Sequence, residues 1–156
     1  MRLFVALYPP ESARRDLSRH LRRRHPRAKL TPVEKWHVTL AFLGEVAEER
    51  LPALRARLAG VAVPKGRELR LRGGGDFARR VTWAGVEGEL DDLAAAVRDA
   101  VELTDERPFR PHLTVAYARD DALTSALADY AGPGWAVEEI TLVHSDRGVY
   151  RSLGSW

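Results

Sequence analysis

The stretch WHVTLAFLG at 36–44 is echoed by PHLTVAYAR at 111–119. His37 aligns with His112, Thr39 with Thr114, Ala41 with Ala116 and Phe42 with Tyr117, and the positions between are apolar in both. Side chains alternate faces along a strand. Simple alternation therefore sets His37, Thr39 and Ala41 on one face of the first segment and Val38, Leu40 and Phe42 on the other, in the core. The second segment repeats this, with His112, Thr114 and Ala116 opposite Leu113, Val115 and Tyr117. An imidazole and a hydroxyl two residues apart lie roughly 6–7 Å from each other along a strand, a gap that suits an anion such as phosphate. The small alanines leave room for it. Two such strands related by a pseudo-two-fold axis would set two imidazoles on opposite sides of one cleft. In-line displacement at phosphorus wants that arrangement: a neutral histidine takes a proton from the attacking oxygen and a protonated one gives a proton to the leaving oxygen. The two threonines would hold the non-bridging oxygens, and no metal is required.

Other chemistries fit less well. The chain has no cysteine, which removes disulfides, thiolate metal sites and thiol catalysis. His37 and His112 have no His-x-His or HExxH neighbour to complete a zinc site. The nucleophile elbow G-x-S-x-G is absent. GGGD at 73–76 lacks the Lys-Ser/Thr and the strand-to-helix context of a phosphate loop, and reads as a bulge or loop.

The elements that must position the histidines follow from periodicity. RLFVALY opens as a strand that Pro9 and Pro10 end, and Ala13, Leu17 and Leu21 then form a helical stripe. WHVTLAFL is a strand, and Ala47, Leu51, Leu54 and Leu58 mark the next helix. RELRLRGGGDF and RRVTWAGV form a hairpin with its turn around Ala78–Arg79. Leu90, Leu93, Ala94, Val97 and Val101 make the clearest helix, with acids in its first turn. HLTVAY is a strand and DDALTSALADYAG a short helix ending at Gly132. WAVEEITLVHS and GVYRSLGSW are the final two strands. Each half carries a helix before and after its His-x-Thr strand, so the expected fold is α+β: two pseudo-symmetric β-sheet lobes with flanking helices around a central groove, in a single domain over 1–156.

The 156 residues carry a net charge of +3, unevenly spread. Residues 11–35 hold nine basic residues against three acidic ones, whereas residues 87–106 are strongly acidic. A basic face would suit a polyanion, binding phosphates in a salt-sensitive way indifferent to sequence. No apolar run approaches a membrane span or a signal peptide, and the expected location is cytoplasmic.

The twin His-x-Thr motifs resemble those of the two-histidine phosphoesterase superfamily, and WHVTLAFLG is similar to the first motif of its RNA 2′,3′-cyclic phosphodiesterase branch, the bacterial and archaeal RNA 2′-5′ ligase-like proteins. RLFVALYPP, RRVTWAGV and the closing S-D-R-G-V-Y-R-S-L at 145–153 resemble other segments of that branch. The resemblance implies hydrolysis of an RNA 2′,3′-cyclic phosphate end to a 2′-phosphate, with reversible 2′-5′ ligation in some members, by a monomer without cofactor or membrane partner. It implies His37 and His112 as the acid/base pair and Thr39 and Thr114 as phosphate-binding hydroxyls; His37 is taken as general acid and His112 as general base, an assignment that the pseudo-symmetry of the motifs leaves open in the sequence. Where the branch commonly has arginine after the second motif, this chain has Tyr117, and Arg119 or Arg110 would take its place. Tyr8 and Trp83 are the candidates for stacking a base, while Phe42 is expected in the core, and His20 and His25 at the surface. The alternatives are a cyclic phosphodiesterase for a small nucleotide or ADP-ribose derivative, and a non-catalytic RNA-binding module.

Overall fold

The computed structural model describes every residue except Arg79, Asp105 and Glu106. Among the described residues, eight strands form one antiparallel sheet: β1 (Arg2–Leu7), β2 (Val38–Glu45), β3 (Glu68–Phe77), β4 (Val81–Glu87), β5 (His112–Ala116), β6 (Ala131–Ala136), β7 (Thr141–Asp146) and β8 (Val149–Ser155). Their order is β6-β3-β4-β5-β2-β1-β7-β8. The two His-x-Thr strands, β2 and β5, are neighbours at the middle, joined by the single pair Val38–Leu113. On either side lie four strands, so the sheet divides into two lobes along the seam where the motifs meet.

Four helices cover one face: α1 (Glu11–Arg24), α2 (Leu51–Ala59), α3 (Asp91–Ala100) and α4 (Asp121–Leu127). The apolar stripes of α1 and α3 are buried as their periodicity requires: Ala13, Leu17 and Leu21 on α1, and Leu93, Ala94 and Val97 on α3, with Leu90 and Val101 buried beside them. α1 packs with α4, and α2 with α3, so each helix pair draws one member from each half of the chain. Asp120 caps α4 by accepting from the Leu123 amide at 3.1 Å.

Three features depart from the sequence reading. The chain does not divide into lobes at its midpoint: β7 and β8 return to pair on β1, and β6 pairs on β3. WAVEEITLVHS is not one strand. β6 ends at Ala136 and β7 begins at Thr141 on the other side of the sheet. The helix expected to reach Gly132 stops at Leu127, because AGPGWA forms the edge strand β6. Its Pro133 is tolerated there because an edge strand has an unpaired side. The β3–β4 turn lies where expected, with Ala78 at φ 49, while Arg79 falls outside the described residues. Of the three glycines, Gly74 follows an irregularity in the β3–β4 ladder, and a Cβ there would lie 2.3 Å from the Trp83 carbonyl oxygen.

Candidate functional site

Alternation breaks in both motif strands, at the same place. On β2, Thr39 lies opposite Ala6 and Ala41 opposite Val5, leaving Leu40 as an extra residue. On β5, Thr114 lies opposite Trp83 and Ala116 opposite Thr82, leaving Val115 extra. A bulge reverses the facing of everything beyond it. Ala41 and Ala116, expected beside the histidines, are therefore buried in the core at 2% exposure each. Phe42, expected in the core, is 51% exposed, and Tyr117 is 69% exposed. The repeated His-x-Thr-apolar-Ala-aromatic pattern is the imprint of a bulge. Its apolar-Ala pair turns inward and its aromatic turns out.

His37 and Thr39 from β2 and its approach, and His112 and Thr114 from β5, line one cleft of about 620 Å³ on the face opposite the helices. Each imidazole is oriented by the backbone two residues earlier. His37 Nδ1 lies 2.6 Å from the Lys35 carbonyl oxygen, and His112 Nδ1 lies 2.7 Å from that of Arg110. A carbonyl only accepts, so Nδ1 is the donor in both rings and Nε2 is left for other work. His37 Nε2 sits 3.1 Å from Thr39 Oγ1. The ring reaches forward along the strand and closes the gap that backbone spacing alone suggests.

The two rings have unlike settings. His37 is stacked on Phe4, with centroids 4.8 Å apart, and meets Tyr8 and Tyr150 at 5.7 Å each. Burial lowers its pKa from the ordinary 6.5; the Lys35 carbonyl opposes this, and His112 adds to it. His112 is more open and touches Phe77 edge-on at 4.8 Å and Trp83 at 6.1 Å.

Several cleft residues carried no signal of their own in the sequence. Among the described residues, Lys35 is the lone lysine or arginine lining the cleft. It belongs to a 3₁₀ turn at Val33–Lys35, donates to the Gly148 carbonyl, and lies 5.1 Å from the Tyr150 ring centre. Its role is invisible in sequence because its side chain reaches Gly148, in the β7–β8 turn. Tyr150, with Ser145 and Gly148, completes that wall. Burial, and then Tyr117, push the Tyr150 hydroxyl up to about 12, so it remains a donor at neutral pH. The loop before His37 is pinned to the opposite motif: Thr31 donates through its amide and its hydroxyl to the carbonyl of the bulge residue Val115, and the Trp36 indole donates to Thr31.

The other expected residues fall elsewhere. Arg119 lies beyond the end of β5 and pairs with Asp121 at 3.1 Å, outside the cleft lining. Arg110 orients His112 through its carbonyl, and its side chain lines an adjoining groove. Tyr8 backs His37, and Trp83 backs Phe77 and His112. His20 is not a surface residue: it is bonded to the Ala126 carbonyl at 2.6 Å and packed on Tyr130. His25 pairs with Asp120 at 2.9 Å and is half-buried. Part of the basic α1 segment has structural work. Arg14 bonds the Pro9 and Val33 carbonyls, and Arg24 pairs with Asp129.

Known proteins resemble the chain along most of its length. The model of the 2′-5′ RNA ligase superfamily matches residues 8–149. A Thermus thermophilus protein named RNA 2′,3′-cyclic phosphodiesterase is 37% identical, over 94% of this chain and 82% of its own length. The Escherichia coli protein of that name is 34% identical, over 99% and 95%. Among solved structures, one from Thermus thermophilus superimposes with a TM-score of 0.80 at 32% identity, covering 100% of this chain and 97% of the other. Escherichia coli LigT complexed with 3′-AMP superimposes at 0.79 and 30%, covering 99% and 95%.

Proposed function

Since the chain belongs to the 2′-5′ RNA ligase superfamily, we propose that it hydrolyses RNA 2′,3′-cyclic phosphate ends to 2′-phosphates, with His37 as general acid and His112 as general base. The observation that carries this reading is the paired backbone lock. Both Nδ1 atoms are committed to carbonyls, and both rings line one cleft together with Thr39 and Thr114.

The cyclic phosphate sits between the rings, its non-bridging oxygens on Thr39 and Thr114. Water enters on the open His112 side. His112 Nε2 takes its proton as the oxygen attacks phosphorus, and the bond to the 3′-oxygen breaks. His37 Nε2 gives its proton to that leaving oxygen. A P–OH bond replaces P–O3′, and the net transfer of one proton from His37 to His112 is reset through solvent. The same steps with a 5′-hydroxyl in place of water form a P–O5′ bond, break P–O3′ and give 2′-5′ ligation, and their reversal cleaves that linkage back to the cyclic phosphate.

Burial keeps His37 low in the free protein, so its proton is loaded as the anionic phosphate arrives. The mutual repulsion of the imidazoles favours the singly protonated pair that the reaction needs. Lys35 supplies the positive charge that the second motif lacks at Tyr117, and a cation aimed at phosphate oxygens stabilises the charge that builds there. The test is turnover of a short RNA ending in a 2′,3′-cyclic phosphate, with the product phosphate assigned by phosphorus NMR. The expected product is a 2′-phosphate, formed by the wild type and lost in His37→Ala and His112→Ala. Tight RNA binding with no turnover would instead favour a binding module.

A further inference from the structure

A second groove, of about 230 Å³, adjoins the histidine cleft and shares Thr39, Phe77 and His112 with it. Its own walls are Phe42, Phe109, Arg98, Arg107 and Arg110. Phe42 is the turned-out aromatic of the first bulge, half exposed, with the Arg2 guanidinium 5.7 Å from its ring centre. Arg98 lies 5.5 Å from the Phe109 ring centre and donates to the Arg107 carbonyl at 3.4 Å. Among the described residues, the main cleft already has aromatic walls for a terminal nucleoside, Tyr117 and Tyr150, and one Lys or Arg, Lys35, for a singly charged cyclic phosphate. Among the described residues, Arg110 and the exposed Phe42 beyond it exceed what a mononucleotide uses. Aromatic faces stack unpaired bases and guanidiniums bind phosphates, without regard to base identity.

We propose that this groove is a second nucleotide subsite: it takes the RNA nucleotide preceding the cyclic end, with that base on Phe42 and the linking phosphate against Arg110. The proposal rests on the cyclic-phosphodiesterase reading and makes the enzyme one for RNA chains rather than for cyclic mononucleotides. Continuity with the catalytic cleft, and the presence of both an exposed aromatic and Arg110 among the described wall residues, argue for this occupant.

The test compares kcat/KM for adenosine 2′,3′-cyclic phosphate with that for the dinucleotide ending in the same group, at two salt concentrations. The wild type should favour the dinucleotide by about tenfold, the scale of one base stacked on an aromatic side chain. Phe42→Ala should collapse that ratio toward one, and Phe42→Trp should keep it. Arg110→Gln, which leaves the backbone carbonyl on His112 in place, should lower the ratio and flatten the dinucleotide's salt dependence. A wild-type ratio near one would overturn the subsite, as would a ratio that survives Phe42→Ala. An equal loss on both substrates would also overturn it, by making Phe42 a platform for the terminal base. If the wild type turns over neither substrate, the phosphodiesterase reading fails. The subsite is then read from binding: a dinucleotide 2′-phosphate should bind about tenfold tighter than the mononucleotide, and equal affinities would reject it.

Discussion

The two motif strands are alike in backbone and unlike in surroundings. Each has its histidine ahead of a bulge, its Nδ1 on the carbonyl two residues back, its threonine in the cleft and its aromatic turned outward. Around that shared frame, His37 is enclosed by Phe4, Tyr8 and Tyr150 with Lys35 nearby, whereas His112 is more open and meets Phe77 and Trp83 at their edges. The repeated motif gives both rings the same frame, and the proposed division of roles rests on the difference in their neighbours. An enclosed ring can hold a proton for the leaving oxygen away from competing water, and an open one can meet the water it must activate.

The sharpest way to break the comparison is to remove each ring. His37→Ala and His112→Ala should each lower kcat by about 10³-fold, within the usual range for acid–base groups. The double variant should be little worse than either, because both act in one step. Additive losses would mean that the rings serve separate reactions.

Lys35→Gln keeps the carbonyl that orients His37 and removes the charge. It should lower kcat/KM by about 10²-fold, the scale of one lost electrostatic donor. A loss of only a few fold would assign the phosphate charge to another residue.

The pH profile sharpens the difference in burial. His37 is held low, so its protonated fraction in the free protein declines from a pH below 6.5. The alkaline limb of kcat/KM should therefore begin below that value. The limb of kcat should lie at higher pH, because the bound phosphate anion favours the imidazolium. Coincident limbs would mean that the anion does not sit against His37.

The smallest effect concerns the bulges themselves. Ala41→Leu and Ala116→Leu should each destabilise by about 1–3 kcal/mol through overpacking, a drop of about 2–4 °C in Tm per kcal/mol in thermal unfolding. Were these alanines on the cleft face, as alternation suggests, stability would hold and turnover would fall.

Much of this was legible beforehand. The stripes on α1 and α3 report burial directly, and the repeated His-x-Thr windows mark the cleft, because both are local periodicities. What was hidden depends on partners distant in sequence. The bulges at Leu40 and Val115 exist only in pairing with β1 and β4, so strict alternation misplaced Phe42 and both alanines. Lys35 and Tyr150 meet at the cleft only because β8 returns to the far side of β1 through β7. AGPGWA has no strand composition and becomes β6 because the edge of β3 accepts it.

The division of labour between the histidines is tested most directly by a phosphodiester whose leaving group needs no proton, such as a p-nitrophenyl ester. His37→Ala should turn it over within about tenfold of the wild-type rate, while His112→Ala should keep its full loss. Rescue of His112→Ala instead would reverse the roles, and rescue of neither would contradict the acid–base pair.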